Sequence, residues 1–196
     1  MTRTRPLFVL LAFAAALGLT ACVTDPSSTP APNNRGKYTN PDSLIAAHAS
    51  ALSRRDLDAY TKLLDDDFRY YPQTQDLQDM PWVTGDSWGK ADELGMIAHM
   101  FDPHFQPTDP YAGSVDSIHA NIAVLGTQAD SSGTTVLAHA TLQVLYDAST
   151  GASCDVRFQF RLVTRDGFLK IREIHELPLN LRVEPATWGR IKSVYR

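Results

Sequence analysis

Residues 115–177 read VDSIHANIAVLGTQADSSGTTVLAHATLQVLYDASTGASCDVRFQFRLVTRDGFLKIREIHEL, and the fold follows from this stretch. Runs at 115–126, 134–147, 154–164 and 168–177 are separated by Asp130-Ser131-Ser132-Gly133, Ser149-Thr150-Gly151 and Arg165-Asp166-Gly167. Apolar residues alternate along them: Ile118, Ala120, Ile122, Val124; then Val136, Ala138, Ala140, Leu142, Val144; then Val156, Phe158, Phe160, Leu162. Between them stand His119 and Asn121, then His139, Thr141 and Gln143, then Asp155, Arg157, Gln159 and Arg161. A period of two, with one apolar face and one wetter face, predicts antiparallel strands.

Upstream the period changes. Asn40-Pro41-Asp42-Ser43 offers cap candidates with Pro near the first helical position. Leu44, Ile45, His48, Ala51 and Leu52 then form a helical stripe with His48 inside it. Arg54-Arg55-Asp56 interrupts, and Leu57, Tyr60, Leu63 and Leu64 share a face of a second helix. Asp65-Asp66-Asp67 is expected to end that helix in a frayed or solvated turn, because acids there oppose the macrodipole. Phe68 to Tyr71 reads as a short strand stopped by Pro72, and residues 72–87 as a loop. A third helix is expected over Ser87 to Phe101, followed by an irregular loop imposed by Pro103, Pro107 and Pro110. Helices first and a meander afterwards predicts an α+β domain with its helices on one face of the sheet.

The order α-α-β-α-β-β-β-β, headed by SLIAAHASALSRRDLDAYTKLLDDDFRYY, resembles the nuclear-transport-factor-2-like, or SnoaL-like, superfamily over about residues 41–177. The resemblance implies a cystatin-like cone: a curved, antiparallel-rich sheet around three N-terminal helices, with an apolar cavity. Isomerases, dehydratases, cyclases, epoxide hydrolases and non-catalytic modules share that architecture, so it does not select a function.

The front of the chain speaks to location. Arg3 and Arg5 precede an uncharged apolar run from Leu7 to Leu17. This run is too short to span a bilayer, which needs about 20 apolar residues, and matches a signal-peptide core of about 7–15. Leu19-Thr20-Ala21-Cys22 resembles the lipobox of bacterial lipoproteins. That resemblance implies cleavage before Cys22 and lipidation of its thiol and new amino terminus; two or more acyl chains anchor stably where one does not. The alternative is an ordinary signal cleaved after Ala21. By analogy with enterobacterial lipoproteins, Val23 in place of Asp favours the outer membrane, facing the periplasm. Residues 1–21 are thus read as signal peptide, 22–40 as lipidated Cys and tether, and 41–196 as one domain with an extension from about 178. The tether, VTDPSSTPAPNNRGKYTN after Cys22, lacks the apolar content to fold and spans at most about 60 Å.

The chain carries 18 Lys and Arg against 22 Asp and Glu, and loss of Arg3 and Arg5 makes it more acidic still. An acidic balance with no basic cluster argues against a nucleic-acid partner and against electrostatic adhesion to anionic lipid. With Cys22 acylated, Cys154 is left alone, and its place at the start of an apolar strand face reads as a small buried hydrophobe.

The remaining candidates are few. His48 falls where the ketosteroid isomerase branch of the superfamily places a hydrogen-bond-donating Tyr, but the catalytic carboxylate of that branch falls near Pro72, where no acid stands. His48 is therefore either a packed helix-face histidine bonded to a neighbour or a cavity donor. His139 and His175 are the strand histidines that would complete an acid–base set with it, and His119 would join them if register allowed. Asp155 and Arg157 lie on the face opposite Val156, which suits a solvated or dimer-facing surface. Tyr70, Tyr71, Trp82 and Trp88 either line a pocket mouth or seal the cone. Trp188, Ile191 and Tyr195 have helical spacing and either pack back on the domain or dock a partner. The spacings of His99, Asp102 and His104, and the absence of a Gly-rich loop or Ca²⁺ loop, lead us to expect no metal and no cofactor. The expected partners are the membrane through the lipid, a small apolar ligand, or a second copy across the outer sheet face with Arg157, Gln159 and Arg161.

Overall fold

The computed structural model describes residues 36–110, 112–147, 150–178 and 187–196, all within one compact unit. The signal and lipobox readings, including Cys22, lie outside the described residues. Helix α1 spans Pro41–Ser53: the Asn40 side chain accepts from the Ser43 amide at 3.2 Å, and Pro41 supplies a preset φ at the first turn. Its buried stripe is Leu44, Ile45, His48, Ala51 and Leu52. Arg55 adopts φ 52°, in the left-handed region, which turns the chain sharply into α2, Leu57–Leu63. Asp56 caps α2 by accepting from the Ala59 amide at 2.9 Å.

Strand β1, Leu64–Tyr71, begins directly where α2 ends, so Asp65, Asp66 and Asp67 are strand residues and not a frayed helix end. The reason is a distant partner. Arg165 donates to Asp65 from Nε at 2.6 Å and from Nη2 at 3.0 Å, and the Asp65 side chain is only 2% exposed. These hydrogen bonds hold its carboxyl below the usual range. A 3₁₀ segment, Thr74–Asp79, interrupts the expected loop. The third helix also starts later than expected. Trp88–Gly89 forms a short strand, β2, on the edge of β1, and α3 runs Lys90–Phe101.

The meander follows as β3 (Ser117–Asp130), β4 (Gly133–Leu145), β5 (Gly151–Arg165) and β6 (Phe168–Leu177). The sheet order is β2-β1-β6-β5-β4-β3, antiparallel except where β1 lies parallel to β6. The β5–β6 turn uses positive φ at Asp166 and Gly167, the geometry that two-residue hairpin turns require. An irregularity between Arg161 and Leu162 shifts the register of β6, so that Ile171, Ile174 and Glu176 are buried while Glu173 and His175 stay half-exposed. The inner faces of β4 and β5 are the alternating residues from Val136 to Val144 and from Cys154 to Leu162, all at most 2% exposed.

Two terminal segments dock on this frame. Tyr38 makes an antiparallel bridge to Leu169, so Gly36 to Asn40, expected as tether, lies against β6. Helix α4, Trp188–Ser193, buries Trp188, Ile191 and Lys192, with Tyr195 just beyond it fully buried. No helix among the described residues is long and apolar enough to cross a membrane.

Candidate functional site

The concave side of the sheet encloses a polar cluster at the centre of the core. Glu93 enters from the first turn of α3 and is fully buried. It accepts from Tyr60 Oη at 2.6 Å, from Trp88 Nε1 at 2.8 Å, and from Lys192 Nζ at 2.8 and 2.7 Å on its two oxygens. Lys192, also fully buried, comes from α4. Its ammonium sits 3.4 Å from the Tyr70 ring centroid and 5.0 Å from that of Trp88, well inside cation–π range. Tyr70 and Trp88 are themselves stacked at 4.5 Å. Burial pushes the Lys192 amine down, and the facing Glu93 carboxylate pulls it back up. Burial and Glu93 together push the Tyr60 hydroxyl well up, which keeps it a neutral donor.

A second carboxylate holds the helix that carries Lys192. Glu176 accepts from Tyr70 Oη at 2.7 Å and from the Trp188 and Gly189 amides at 2.8 and 3.0 Å. Gly189 allows this approach: a Cβ there would stand 3.2 Å from Glu176 Oε2 and 3.1 Å from Pro72 Cβ. Burial raises the Glu176 carboxyl, against the pull of its three donors and of Lys192. Thr187 caps α4 by accepting from the Arg190 amide and donates to Asp76 at 2.5 Å. Beyond the helix, Tyr195 Oη donates to the Gly113 carbonyl at 2.9 Å, and His99 Nδ1 donates to the Tyr195 carbonyl at 2.7 Å. Pro72, near which the isomerase branch places its acid, lies beside Gly189 and borders a cleft together with His175 and Glu176.

His48 is 2% exposed and neither ring nitrogen has a hydrogen-bond partner among the described residues, contrary to the expected neighbour bond. Its ring lies 5.2 Å from Tyr60 and 5.6 Å from Phe160. Burial lowers its pKa to about 4, so the ring is neutral.

The strand histidines lie elsewhere. His139 follows buried Ala138 and so projects to the outer face, where its Nε2 is 2.8 Å from Asp155 Oδ1. His175 stacks on Tyr71 at 4.1 Å and pairs with Glu173 at 2.9 Å. The structure therefore does not bring His48, His139 and His175 together, and His119 faces Gln143 in another row. Arg157, on the outer face as expected, donates to the Pro178 carbonyl at 3.2 Å. Of the four aromatics, Tyr70 and Trp88 are interior, while Trp82 lies 5.4 Å from Trp88 under the Arg196 guanidinium. Tyr71 and His175 border a shallow cleft of about 220 Å³, and Trp82 and Arg196 an open groove of about 560 Å³. Cys154 is buried and its thiol pushed up by burial. No group of three metal-ligating side chains occurs among the described residues.

Sequence reasoning missed Glu93, Glu176 and Lys192. Each is a charged residue on an otherwise apolar face: Glu93 with Ile97 and Met100, Glu176 two residues after Ile174, Lys192 four after Trp188. That mismatch was the available signal.

Solved structures share the architecture. A proposed aromatic ring hydroxylase from Novosphingobium aromaticivorans superposes with a TM-score of 0.54 at 10% identity, over 74% of this chain and 90% of that one. The fold is the nuclear-transport-factor-2-like cone. A proposed scytalone dehydratase from the same organism covers 74% of this chain and 87% of its own at 10% identity, TM-score 0.50. A proposed calcium/calmodulin-dependent protein kinase type II association domain from Thiobacillus denitrificans covers 74% and 98% at 11% identity, TM-score 0.51. Such identities establish the cone and nothing of its chemistry. No protein-family model matches the sequence. No curated protein matches it either.

Proposed function

We propose that this chain is a lipid-anchored cell-envelope module that works by binding and does not catalyse a reaction. The observation that carries the reading is the state of the cone interior. Glu93 and Glu176, the carboxylates at its centre, are engaged by seven hydrogen bonds from this chain's own groups. A general base must reach a substrate proton, and here four of those seven bonds come from α4. His48 is neutral and buried, and among the described residues Tyr60, whose ring lies 5.2 Å away, is already committed to Glu93. The alternative reading, a SnoaL-like enzyme on a small hydrophobic substrate, requires His48 to act with a strand histidine. His139 and His175 lie outside.

The anchor rests on the lipobox at Leu19 to Cys22 and on the short apolar run before it. Intact mass of the membrane-extracted chain is the direct test: we expect a polypeptide beginning at Cys22 with added acyl mass. An unmodified Cys22 would sink the anchor. For the binding reading, the domain from residue 37 onward is weighed under native and denaturing conditions. The same bare mass in both is expected; a released small molecule would return the search to an enzyme or carrier. With the interior filled, the outer sheet face is the docking surface we favour, for a second copy or another envelope protein. Its central row, Leu137, Gln159 and His175, is half-buried and flanked by charges of both signs, a composition compatible with an isologous contact.

A further inference from the structure

The groups around Lys192 form a host that is complete without the helix that delivers the guest. Tyr60 comes from α2, Tyr70 from β1, Trp88 from β2 and Glu93 from α3. The Tyr60–Glu93–Trp88 hydrogen bonds and the Tyr70–Trp88 stack involve no atom of α4. To the Glu93–Tyr70–Trp88 cage itself α4 adds a single ammonium, with the Trp188 ring at 6.0 Å as an outer wall, while its Trp188 and Gly189 amides bond Glu176 behind Tyr70. We propose that the cone interior is a recognition site for a primary alkylammonium, filled in this chain by its own Lys192.

The chemistry of the host selects that class. A primary ammonium has three N–H donors; the two Glu93 oxygens take two directions, at 2.8 and 2.7 Å, and the Tyr70 face takes the positive charge at 3.4 Å. A quaternary ammonium satisfies the ring but not the carboxylate. A guanidinium is planar and demands a fork, whereas Glu93 already has one oxygen bonded by Tyr60 and the other by Trp88. A neutral alcohol leaves the carboxylate charge uncompensated in a dry site, which is costly. The lysine stem has four carbons, so the matching free ligand is an unbranched aliphatic amine of about that length. This inference rests on the interior geometry and stands independently of the anchor and of the outer face.

The test removes the tethered guest and offers a free one. The full chain carrying Lys192→Ala is titrated with n-butylammonium chloride, and thermal unfolding is compared with equal concentrations of tetramethylammonium chloride, n-butanol and sodium chloride. At about ten times the dissociation constant, n-butylammonium should raise the melting temperature by about 4 °C and the other three should not. The unmutated chain should not respond, because Lys192 fills the site. Lys192→Ala combined with Glu93→Gln should lose the response, which separates the cage from general amine effects. Should Lys192→Ala be unfolded alone, the same series is read as refolding yield, with recovery expected in n-butylammonium only. Equal behaviour in n-butylammonium and sodium chloride, or a response that survives Glu93→Gln, would overturn the proposal.

Discussion

The two faces of the sheet use the same kinds of side chain for opposite ends. On the inner side, Glu93 and Lys192 are fully buried, 2.7 Å apart, and surrounded by Tyr60, Tyr70 and Trp88. On the outer side, Arg161 and Glu173 stand 3.8 Å apart with side chains 38% and 24% exposed, and His139 and Asp155 are more exposed still. Water screens the outer pairs, and exposed ion pairs contribute about 0–1 kcal/mol. Nothing screens the inner pair. Its attraction is larger, and so is the penalty for removing either ion from water. The inner pair specifies where α4 docks more than it adds net stability, while the outer pairs stay in contact with water.

The most severe way to break this contrast is to leave Lys192 without its counter-ion. Glu93→Ala strands a buried ammonium and orphans Tyr60 Oη and Trp88 Nε1. We expect a loss of about 3–5 kcal/mol in urea unfolding. Glu93→Leu with Lys192→Met removes both charges and should recover most of that loss, since an apolar pair of similar volume is tolerated. A Glu93→Ala loss below about 1 kcal/mol would mean that the interior is wetter than its burial indicates.

Next in size is the response of His48 to acid. Its folded pKa is lowered from 6.5 to about 4 by burial. The folded state therefore binds fewer protons than the unfolded one between these values, and stability present above pH 6.5 is lost as pH falls toward 4. From pH 7 to pH 5 this group alone should remove about 2 kcal/mol. Glu176 works in the opposite sense: its raised folded pKa means that its contribution is greatest at acid pH and lost as pH rises. His48→Leu should flatten the acid slope and, by removing two unpartnered ring nitrogens, leave stability at pH 7 unchanged or raised by about 1 kcal/mol. An unaltered slope in that variant would place the titration elsewhere.

What could be read in the sequence divides along the same line. Period-two alternation from Val136 to Val144 and from Val156 to Leu162 reports one wet and one dry face, and the inner wall follows it residue by residue. Asn40 announces its helix because a cap is a local bond within four residues; Asp56, read only as part of an interruption, caps α2 in the same way. The errors are long-range. Asp65 is held in a strand by Arg165, a hundred residues away, which no local pattern encodes. Trp88 belongs to an edge strand and not to α3 because it pairs with Tyr70. The centre of the site is the extreme case. Glu93 and Lys192 are 99 residues apart, each a charge on an apolar face, and only their meeting makes burial tolerable.

The smallest effect on stability falls on the outer face. Arg161→Glu breaks the contact with Glu173 and the bond from Arg161 Nη2 to Ser132 Oγ at 2.8 Å, both exposed. Like charges would then face each other across the β5–β6 pair, since Arg161 and Glu173 are register partners. The expected loss is about 0.5–1 kcal/mol by urea unfolding, no more than for typical cross-strand charge pairs. Assembly should respond far more, because a reversed charge near the centre of an isologous patch is counted twice, once from each copy. Light scattering of the lipid-free domain should report a dimer for the unmutated protein and a monomer for Arg161→Glu, with melting temperatures within a few degrees of each other. A monomer in both would remove the second copy as occupant of this face and leave it to a different protein. A dimer that survives Arg161→Glu would place the contact elsewhere, and the open groove beside Trp82 and Arg196 would be the next surface to reverse.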